Sequence, residues 1–412
     1  MKNNEAIRCL LCRKPKCSSG CPVGTPVPQA MALYREDSLE EAGKLLFDNN
    51  PLSAITSRVC NWRDFCYGHC VLNVKKIAVR WYEIEQEVSD LYLKTASLER
   101  LPEGRLRGRK VAVVGAGPGG MASAVFLYRE GADVTIFDSK PRIGGVLRYG
   151  IPDFRLDKYF IDRFEEMFFE AGIHFEGGRT LGEDLDIAVL SGQLDAVITA
   201  CGAPKPIRLG IEGEDSPMVT EALEYLSDPS SKRLEGEVIV IGGGNVAMDV
   251  ARTAARSGAP TSIYYRKTFA NMPASPVEVE QAQLEGVRIH VFEAPVAVGE
   301  DCVIFRDCEN VVDPQTGKTA TRIIPGTDHP VKCGTLIPAI GEKPDFSVFG
   351  STMPVFNSYG FPVTENFSRI VFPEGGPGNV YTCGDFILGP KTVVEASSSA
   401  RKAVDNIIND LK

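Results

Sequence analysis

The chain has 412 residues, of which 43% are hydrophobic, and its formal net charge at pH 7 is −9. This length predicts two or three globular domains with sizeable cores. The acidic balance disfavours nucleic acid or an anionic membrane as the main partner, since both select for basic surfaces. Short basic runs at 105–110 and at Lys75 and Lys76 are interpreted as solvated surface. No apolar run approaches the roughly 20 residues that a spanning helix needs, so we expect a cytoplasmic protein.

Residues 1–105 combine helical patterning with a dense group of cysteines. Helix-like periodicity at 28–34, 39–48 and 77–94 predicts a small helical domain. Of the 12 cysteines in the chain, those before residue 71 fall into two closely spaced groups, Cys9, Cys12, Cys17 and Cys21, and then Cys60, Cys66 and Cys70. Clustered thiols in a reducing compartment indicate metal or redox chemistry. The five isolated cysteines are interpreted as small buried residues.

The cysteine spacing favours iron–sulfur clusters over zinc. The first group ends in Cys17-x3-Cys21-Pro22. The cysteine run of bacterial ferredoxins also ends in C-x3-C-P, and the last cysteine of that run binds the second cluster of the ferredoxin. Zinc sites usually show paired C-x2-C arms, and this region has one such arm. Seven thiolates therefore suit two four-iron clusters with one ligand missing. Periodicity alone does not choose that ligand among the nearby polar residues His69, Glu83, Glu85, Gln86 and Glu87.

A first dinucleotide-binding pattern begins at a buried strand, 111–114. A glycine-rich turn and a helix to about residue 130 come next, and a second strand ends at Asp138. Such a turn brings the backbone close to a pyrophosphate at the helix N-terminus, and the acid accepts hydrogen bonds from ribose hydroxyls. The turn predicts cofactor contacts at Gly115, Gly117, Pro118, Gly119 and Gly120.

The pattern recurs after the strand 238–241. The predicted cofactor-binding residues of this second turn are Gly242, Gly244, Asn245 and Val246. The next strand ends in Arg266 and Lys267 with no acid. Because an acid there would bind the ribose 2′-hydroxyl of NAD and basic residues suit a 2′-phosphate, the sequence favours NADPH, with NADH as the alternative.

The segments downstream of the two turns assign the flavin to the first site. Gly144 and Gly145 provide a backbone able to lie against a flat ring system. Near the C-terminus, Gly384 and Asp385 end a predicted strand, and a helix beginning near 391–394 would direct its N-terminus toward the ring. That segment predicts further cofactor contacts at Lys391, Thr392 and Val393.

The chain would thus leave the FAD domain, build the NAD(P) domain and return. Turns at 200–203 and at 339–341, which include Gly341, are candidate crossovers. The fold class is therefore α/β: an N-terminal helical iron–sulfur domain (1–105), then two Rossmann-like domains with the NAD(P) domain (233–342) inserted in the FAD domain (106–232 and 343–412).

As a set, these motifs resemble the small subunit of glutamate synthase and, more closely, the electron-input half of dihydropyrimidine dehydrogenase. Nearly the whole chain is covered, and the resemblance also rests on Arg58-Val-Cys60 and on the segment 149–156, where it implies a cofactor contact for Arg155. The chain departs from the family at Asn61, where a proline is usual. It also departs at Met272 or Pro273, where the dehydrogenase has a third basic residue near the 2′-phosphate.

The resemblance implies two interleaved 4Fe-4S clusters. Cys9, Cys12, Cys17 and Cys70 would hold one, and Cys21, Cys60 and Cys66 would hold the other. In dihydropyrimidine dehydrogenase the eighth ligand is a glutamine that lies sixteen residues past the last cysteine, which is the position of Gln86 in this chain. The resemblance therefore implies Gln86 as the eighth ligand.

The implied function is electron input: the chain would take a hydride from NAD(P)H onto FAD and pass single electrons through two clusters to a catalytic partner subunit. Flavin suits this conversion because it exchanges both two electrons and one. No catalytic acid or base is needed for the hydride step. We expect a partner of the pyrimidine-reducing type, with a glutamate synthase large subunit as the alternative. A stand-alone NAD(P)H-dependent reductase of a small molecule is a further alternative, and two intact glycine turns disfavour a non-enzymatic metal-binding scaffold.

Overall fold

The computed structural model describes residues 4–312 and 319–412 and divides the chain into two compact units. The first unit contains the residues up to Arg148 together with Asp153–Ala203 and Pro344–Lys412. The second contains Tyr149–Pro152 and Pro204–Lys343. The chain thus passes out of the first unit at the turn 200–203 and returns just after Gly341, near the two crossovers that the sequence predicts.

Helices form the N-terminal part of the first unit. They are α1 (Asn4–Arg8), α2 (Lys16–Ser19), α3 (Val27–Arg35), α4 (Leu39–Asn49), α5 (Ser53–Val59) and α6 (Trp81–Thr95), with a 3-10 turn at Val71–Lys75. Helix α6 packs against α4 and α5, and its buried residues Ile84 and Val88 join Met31 and Leu46 in one core. The helix begins at Trp81 rather than at the predicted residue 77.

These helices share one compact unit with the part of the chain that carries the first glycine turn. The side chains of Arg129 and Asp48 form an ion pair of 2.9 Å. The Ser397 hydroxyl donates to Asn50 Oδ1 over 2.8 Å, and both residues are buried. The helices therefore pack directly on the domain that carries the first glycine turn.

The first unit is built around a seven-stranded sheet. Its strands are β1 (Lys110–Val114), β2 (Asp133–Asp138), β3 (His174–Gly177), β4 (Ala196–Thr199), β15 (Thr364–Glu365), β16 (Arg369–Ile370) and β17 (Val380–Thr382). They lie in the order β15-β16-β17-β4-β1-β2-β3, and β17, β4, β1, β2 and β3 run parallel. The accompanying helices are α7 (Pro118–Arg129), α8 (Val146–Tyr149), α9 (Tyr159–Ala171), α10 (Ile187–Gln193), α14 (Asp385–Leu388) and α15 (Val393–Asp410). Because carboxyl ends of parallel strands share one edge, the glycine turn, Asp138 and Gly384 meet there.

The second unit contains a four-stranded parallel sheet. Its elements are β6 (Val238–Ile241), α12 (Asn245–Arg256), β7 (Thr261–Tyr265), α13 (Pro276–Leu284), β8 (Arg288–Val291) and β13 (Thr335–Pro338), preceded by α11 (Ala222–Ser227). The strand order is β13-β6-β7-β8. Strand β6 is wholly buried, which agrees with the unbroken apolar run 238–241 from which it is predicted.

Two further features of the second unit are absent from the prediction. An antiparallel sheet of β9 (Glu293–Val298), β10 (Cys302–Val312), β11 (Thr319–Ile323) and β12 (His329–Lys332) lies between β8 and β13 in the chain. Strand β5 (Lys205–Pro206) pairs with β14 (Glu342–Lys343). Both strands belong to the second unit, which includes the residues from Pro204 onward. The sequence predicts that the NAD(P) domain begins later, at residue 233. Among the described residues, no helix has the length and apolarity needed to cross a bilayer.

Candidate functional site

The N-terminal cysteines line two cavities of the first unit. The first cysteine cavity is lined by Cys9, Cys12, Cys17, Cys66 and Cys70. The second cysteine cavity is lined by Cys21, Cys60 and Cys66. Apart from the shared Cys66, this division matches the two ligand sets implied by the family resemblance.

The thiols of each group line a cavity rather than meeting at one point. Within residues 4–312 and 319–412, no group of three or more His, Cys, Asp or Glu side chains is close enough to hold one metal ion. The thiols instead surround open space. Burial, together with the neighbouring Cys70 and Cys9, raises the pKa of Cys17 to about 11, although a hydrogen bond from the Ser18 amide opposes this rise. Buried thiols that repel one another in this way are suited to binding iron, whose positive charge stabilises the thiolate.

Two side chains, Cys66 and Trp81, line both cavities. Trp81 is the first residue of α6 and is almost fully buried. Its indole N–H forms no hydrogen bond of normal geometry with any residue whose structure is described. A buried indole that lines both cavities suits a cluster, because cluster sulfurs accept hydrogen bonds that help to set the reduction potential.

Glu85, not Gln86, is the acid or amide side chain of α6 that lines the second cysteine cavity. It lies four residues after Trp81 and hence on the same face of the helix. Burial raises the pKa of Glu85 to about 8, and the nearby Trp81 indole N–H partly opposes that rise. Gln86 is half-buried and points about 100° away around the helix.

The other candidates for the eighth ligand are engaged elsewhere. Glu83 pairs with Arg80 at 3.3 Å. Glu87 accepts a hydrogen bond of 2.9 Å from the Tyr34 hydroxyl. His69 Nδ1 lies 2.8 Å from the carbonyl oxygen of Phe65. Glu85 is therefore the candidate whose side chain lines the second cysteine cavity, and Gln86 as the eighth ligand stays a prediction.

The first glycine turn has the geometry of a phosphate-binding loop. Gly115 has a φ of 107°, and a Cβ there would lie 2.2 Å from the Ala200 carbonyl oxygen. A Cβ on Gly120 would lie 1.8 Å from the Gly115 carbonyl oxygen, so helix α7 and strand β1 approach too closely for any side chain. Asp138 accepts hydrogen bonds from the amides of Ala116 at 2.6 Å and Lys140 at 2.7 Å. Asp138, the predicted ribose-binding acid, thus also stabilises the conformation of the glycine turn through its hydrogen bond from Ala116.

The remaining predicted flavin residues gather around this turn. The Gly144 amide donates to the Ala116 carbonyl oxygen over 2.8 Å. A Cβ on Gly145 would lie 2.6 Å from the Gly117 Cα, and one on Gly119 would lie 3.4 Å from the Gly384 Cα. Backbone therefore faces backbone across the site. Arg155 is half-buried in the loop between α8 and α9.

The C-terminal helix α15 begins beside both the flavin turn and the second cysteine cavity. Thr392 caps it with a capping box in which Glu395 is the reciprocal partner. The Lys391 amide donates to Asp385 Oδ1 over 3.1 Å, which ties the helix start to the strand end. Val393 opens the helix, and Val394 lines the second cysteine cavity. Predicted flavin contacts and predicted cluster ligands are thus adjacent in the first unit.

The second glycine turn repeats the arrangement in the second unit. Gly244 precedes α12, Val246 lies in its first turn, and Asn245 Oδ1 accepts a hydrogen bond of 3.0 Å from the Ser275 amide. A Cβ on Gly242 would lie 2.3 Å from the Ala339 carbonyl oxygen, so the turn packs on the segment that leads to Gly341. This is the carboxyl edge of the parallel sheet, where such folds bind nucleotides.

Arg266 and Lys267 come directly after β7 at this same edge. Arg266 is exposed and Lys267 half-buried. In the part of the chain that the structure describes, neither side chain forms an ion pair with a carboxylate. Many other arginines of the protein do form such pairs, so these two charges are available to a ligand phosphate.

Sequence reasoning did not single out Trp81 or the sharing of Cys66. It predicts Gln86 as a ligand, which stays a prediction, whereas the residue of this pair that lines the cavity is Glu85. The available signal was the phase of α6, because a ligand must share the helix face of the buried Ile84 and Val88. Residue 85 satisfies this condition, since it is buried between them along the helix.

Two family models match the chain. Residues 1–97 match the family model described as dihydropyrimidine dehydrogenase domain II, 4Fe-4S cluster. Residues 109–400 match the model of pyridine nucleotide-disulphide oxidoreductases. Among solved structures, Mycobacterium tuberculosis FprA in complex with NADPH superposes with a TM-score of 0.61 at 22% identity, covering 74% of this chain and 85% of that chain. This likeness concerns the fold.

Related proteins align with both the N-terminal cluster region and the nucleotide-binding region of this chain. The glutamate synthase (NADPH) small chain of Halomonas elongata is 34% identical and is aligned over 99% of this chain and 90% of the relative. The corresponding Escherichia coli small chain is 32% identical, over 99% and 91%. The NADPH-Fe(3+) oxidoreductase subunit beta of Geobacter sulfurreducens is 29% identical, over 94% of this chain and 62% of the relative. The chain therefore belongs to the glutamate synthase small-chain family of pyridine nucleotide-disulphide oxidoreductases.

Proposed function

We propose that this oxidoreductase is the electron-input chain of a glutamate synthase, taking a hydride from NADPH onto FAD and delivering single electrons through two 4Fe-4S clusters to a large catalytic chain. Relatives that align along nearly the whole chain carry the name glutamate synthase small chain. They favour a glutamate synthase partner over the pyrimidine-reducing partner that the motifs suggest. The pyrimidine type is therefore not our proposal.

One observation carries the electron-transfer part of the proposal: the flavin turn and both cysteine cavities adjoin within one compact unit. Val394 lines the second cysteine cavity one residue after Val393, a predicted flavin contact. Cys66 and Trp81 each line both cysteine cavities, so the two cavities adjoin. This continuous series of sites gives electrons a short route, which a reductase acting only at its flavin would not need.

The cavities indicate which residues would hold each group. Cys9, Cys12, Cys17 and Cys70 suit one cluster, and Cys21, Cys60, Cys66 and Glu85 suit the other. When bound, flavin supplies the exchange between two-electron and one-electron chemistry, and the clusters supply one-electron carriers. The protein holds these groups close together and excludes water from the buried side of each cavity. No side chain needs to accept or donate a proton in the hydride step.

The experiment is a reconstitution with the large glutamate synthase chain of the same organism under anaerobic conditions. We expect glutamate formation to require NADPH and both chains. A Cys66→Ser variant should abolish glutamate formation, yet its flavin should still be reduced by NADPH, because the flavin turn is intact. Physiological turnover of a small molecule by this chain without a partner would instead support the stand-alone reductase.

A further inference from the structure

A basic, apolar surface lies over the first cysteine cavity. We call it the N-terminal face and define it by the exposed residues of the segments 4–17 and 70–80. Its exposed apolar side chains include Leu10, which is 61% exposed, and Val74, which is 91% exposed, and Ile7 and Ile77 add to the same surface. Clustered exposed apolar residues with a polar rim mark protein interaction sites more often than single ones do.

The two segments lie side by side. The Arg8 guanidinium donates to the Ile77 carbonyl oxygen. The Arg80 amide donates to Glu5 Oε2 over 2.8 Å. Leu10 and Leu72 line the same cavity. Side chains from both segments therefore form one continuous surface.

The charge of this face is opposite to that of the whole protein. The two segments contain seven basic residues, namely Arg8, Arg13, Lys14, Lys16, Lys75, Lys76 and Arg80. Glu5 is their one acidic residue; it is buried and paired with Arg8 at 2.7 Å and Arg80 at 3.4 Å. The chain as a whole carries −9. A local basic excess on an acidic protein selects for a partner surface with a negative rim.

The face also lies where electrons would leave the molecule. Leu10 and Lys16 belong both to the face and to the lining of the first cysteine cavity. The second cysteine cavity instead has Val394 from the flavin side in its lining. Electron tunnelling weakens steeply with distance, so an acceptor must dock where a cluster site is nearest the surface. The first cavity meets that condition, because exposed Leu10 and Lys16 line it, whereas the residues that line the second are buried or half-buried.

We propose that the N-terminal face docks the electron-accepting large chain, through a partner surface that is apolar at its centre and acidic at its rim and lies close to a one-electron acceptor. This inference rests on the proposed function and adds the surface and the chemistry of its complement. The apolar centre supplies contact area, and the basic rim supplies orientation and a rapid, salt-dependent association.

The test measures binding of the large chain of the same organism to the holoprotein by sedimentation velocity, at low and at moderate salt. We expect Val74→Glu to weaken binding at least tenfold, because it places a carboxylate in the apolar centre. Lys75→Glu should weaken binding mainly at low salt. Phe169→Glu is the matched control: it adds the same charge at a residue that is 87% exposed on α9, outside both segments, and should bind as the unmodified chain does.

Iron content and the rate of flavin reduction by NADPH are recorded for each variant, and both should be unchanged. If Val74→Glu keeps its iron and binds the large chain as tightly as the unmodified chain, the surface assignment is overturned while the proposed function stands. If the unmodified holoprotein does not bind the large chain, the proposed function fails and the docking surface with it. If the unmodified chain self-associates and Val74→Glu alone is monomeric, the face joins two copies of this chain, which also overturns the proposal.

Discussion

At the scale of single residues, Glu85 decides how the second cluster would be completed. A carboxylate carries the same charge as a thiolate but is a harder ligand, and the glutamine expected from the family position would be neutral. Cluster charge and hydrogen bonding are among the factors that set the reduction potential. Because Glu85 lines the cavity that contains Cys21, Cys60 and Cys66, we infer that it is the eighth ligand.

Replacing Glu85 should therefore affect one cluster only. We expect Glu85→Ala to lower the iron content below about eight per chain and to change the signal of that cluster, since it removes one of the four side chains that would hold it. Gln86→Ala, its neighbour on the same helix, is the control and should retain all iron. Iron analysis and the electron paramagnetic resonance spectrum of the reduced protein measure both. Loss of iron in Gln86→Ala with retention in Glu85→Ala would restore the assignment drawn from the family position.

Arg266 and Lys267 provide the second test at this scale. Charge-assisted hydrogen bonds contribute roughly 1.5 to 3 kcal/mol each, and solvent exposure reduces that value. We therefore expect the double variant Arg266→Ala/Lys267→Ala to raise the KM for NADPH about tenfold or more and to leave the KM for NADH nearly unchanged. Steady-state kinetics with both nucleotides measure the effect, and Lys332→Ala, an exposed lysine of the same unit, is the control. Equal kinetics of the unmodified protein with NADPH and NADH would refute the preference.

At the scale of elements, an ion-pair network joins α12, which carries the second glycine turn at its N-terminus, to α13. Arg252 of α12 is almost fully buried and donates to both carboxylate oxygens of Glu285, at 3.0 and 2.9 Å. Arg252 also pairs with Glu278 of α13. The hydrogen bonds from Arg252 lower the pKa of Glu285 to about 2, and Arg256 contributes. The network thus holds the phosphate-binding helix against its neighbour.

This network gives a pH-dependent contribution to stability. Because the folded pKa of Glu285 lies below its ordinary value of 4.5, the stabilisation is fully present above pH 4.5 and is lost as the pH falls toward 2. We expect Glu285→Gln to lower the free energy of unfolding by roughly 1 to 3 kcal/mol at pH 7. The difference should persist at pH 5 and shrink at about pH 3.5.

Urea unfolding, followed by hydrogen exchange in the α12 and α13 peptides, measures this contribution in the second unit. Glu300→Gln changes an exposed carboxylate of the same unit and should have little effect. A difference between Glu285→Gln and the unmodified protein that grows on acidification would contradict the sign of the pKa shift.

At the scale of the whole molecule, the two cysteine cavities and the two glycine turns predict the cofactor content. Protein purified without oxygen should contain about one FAD and about eight irons per chain. Cys12→Ser should lose the cluster of the first cysteine cavity and keep the other, while NADPH still reduces FAD, because the glycine turns lie elsewhere in the chain. Elemental analysis and the visible spectrum measure each quantity. Zinc in place of iron, or four irons in the unmodified protein, would refute the assignment.

The sequence by itself determined the features that depend on short stretches of chain. Strands β1 and β6 with their glycine turns lie where predicted, because a tight turn between a buried strand and a helix needs glycine at set positions. The cysteine spacing likewise predicted the two thiol groups, and the fold class of nucleotide-binding domains with an N-terminal iron–sulfur domain is confirmed.

The tertiary structure alone decided the features that depend on distant residues. The rotation of α6, set by burial of Ile84 and Val88 against other helices, turns Glu85 rather than Gln86 toward the cavity. The pairing of β5 with β14 joins segments more than 130 residues apart and moves a unit boundary to Pro204. The approach of Leu10 and Leu72 to one cavity arises in the same way. The spacing of residues along the sequence does not predict such contacts, because they form only when segments that are distant in sequence pack together.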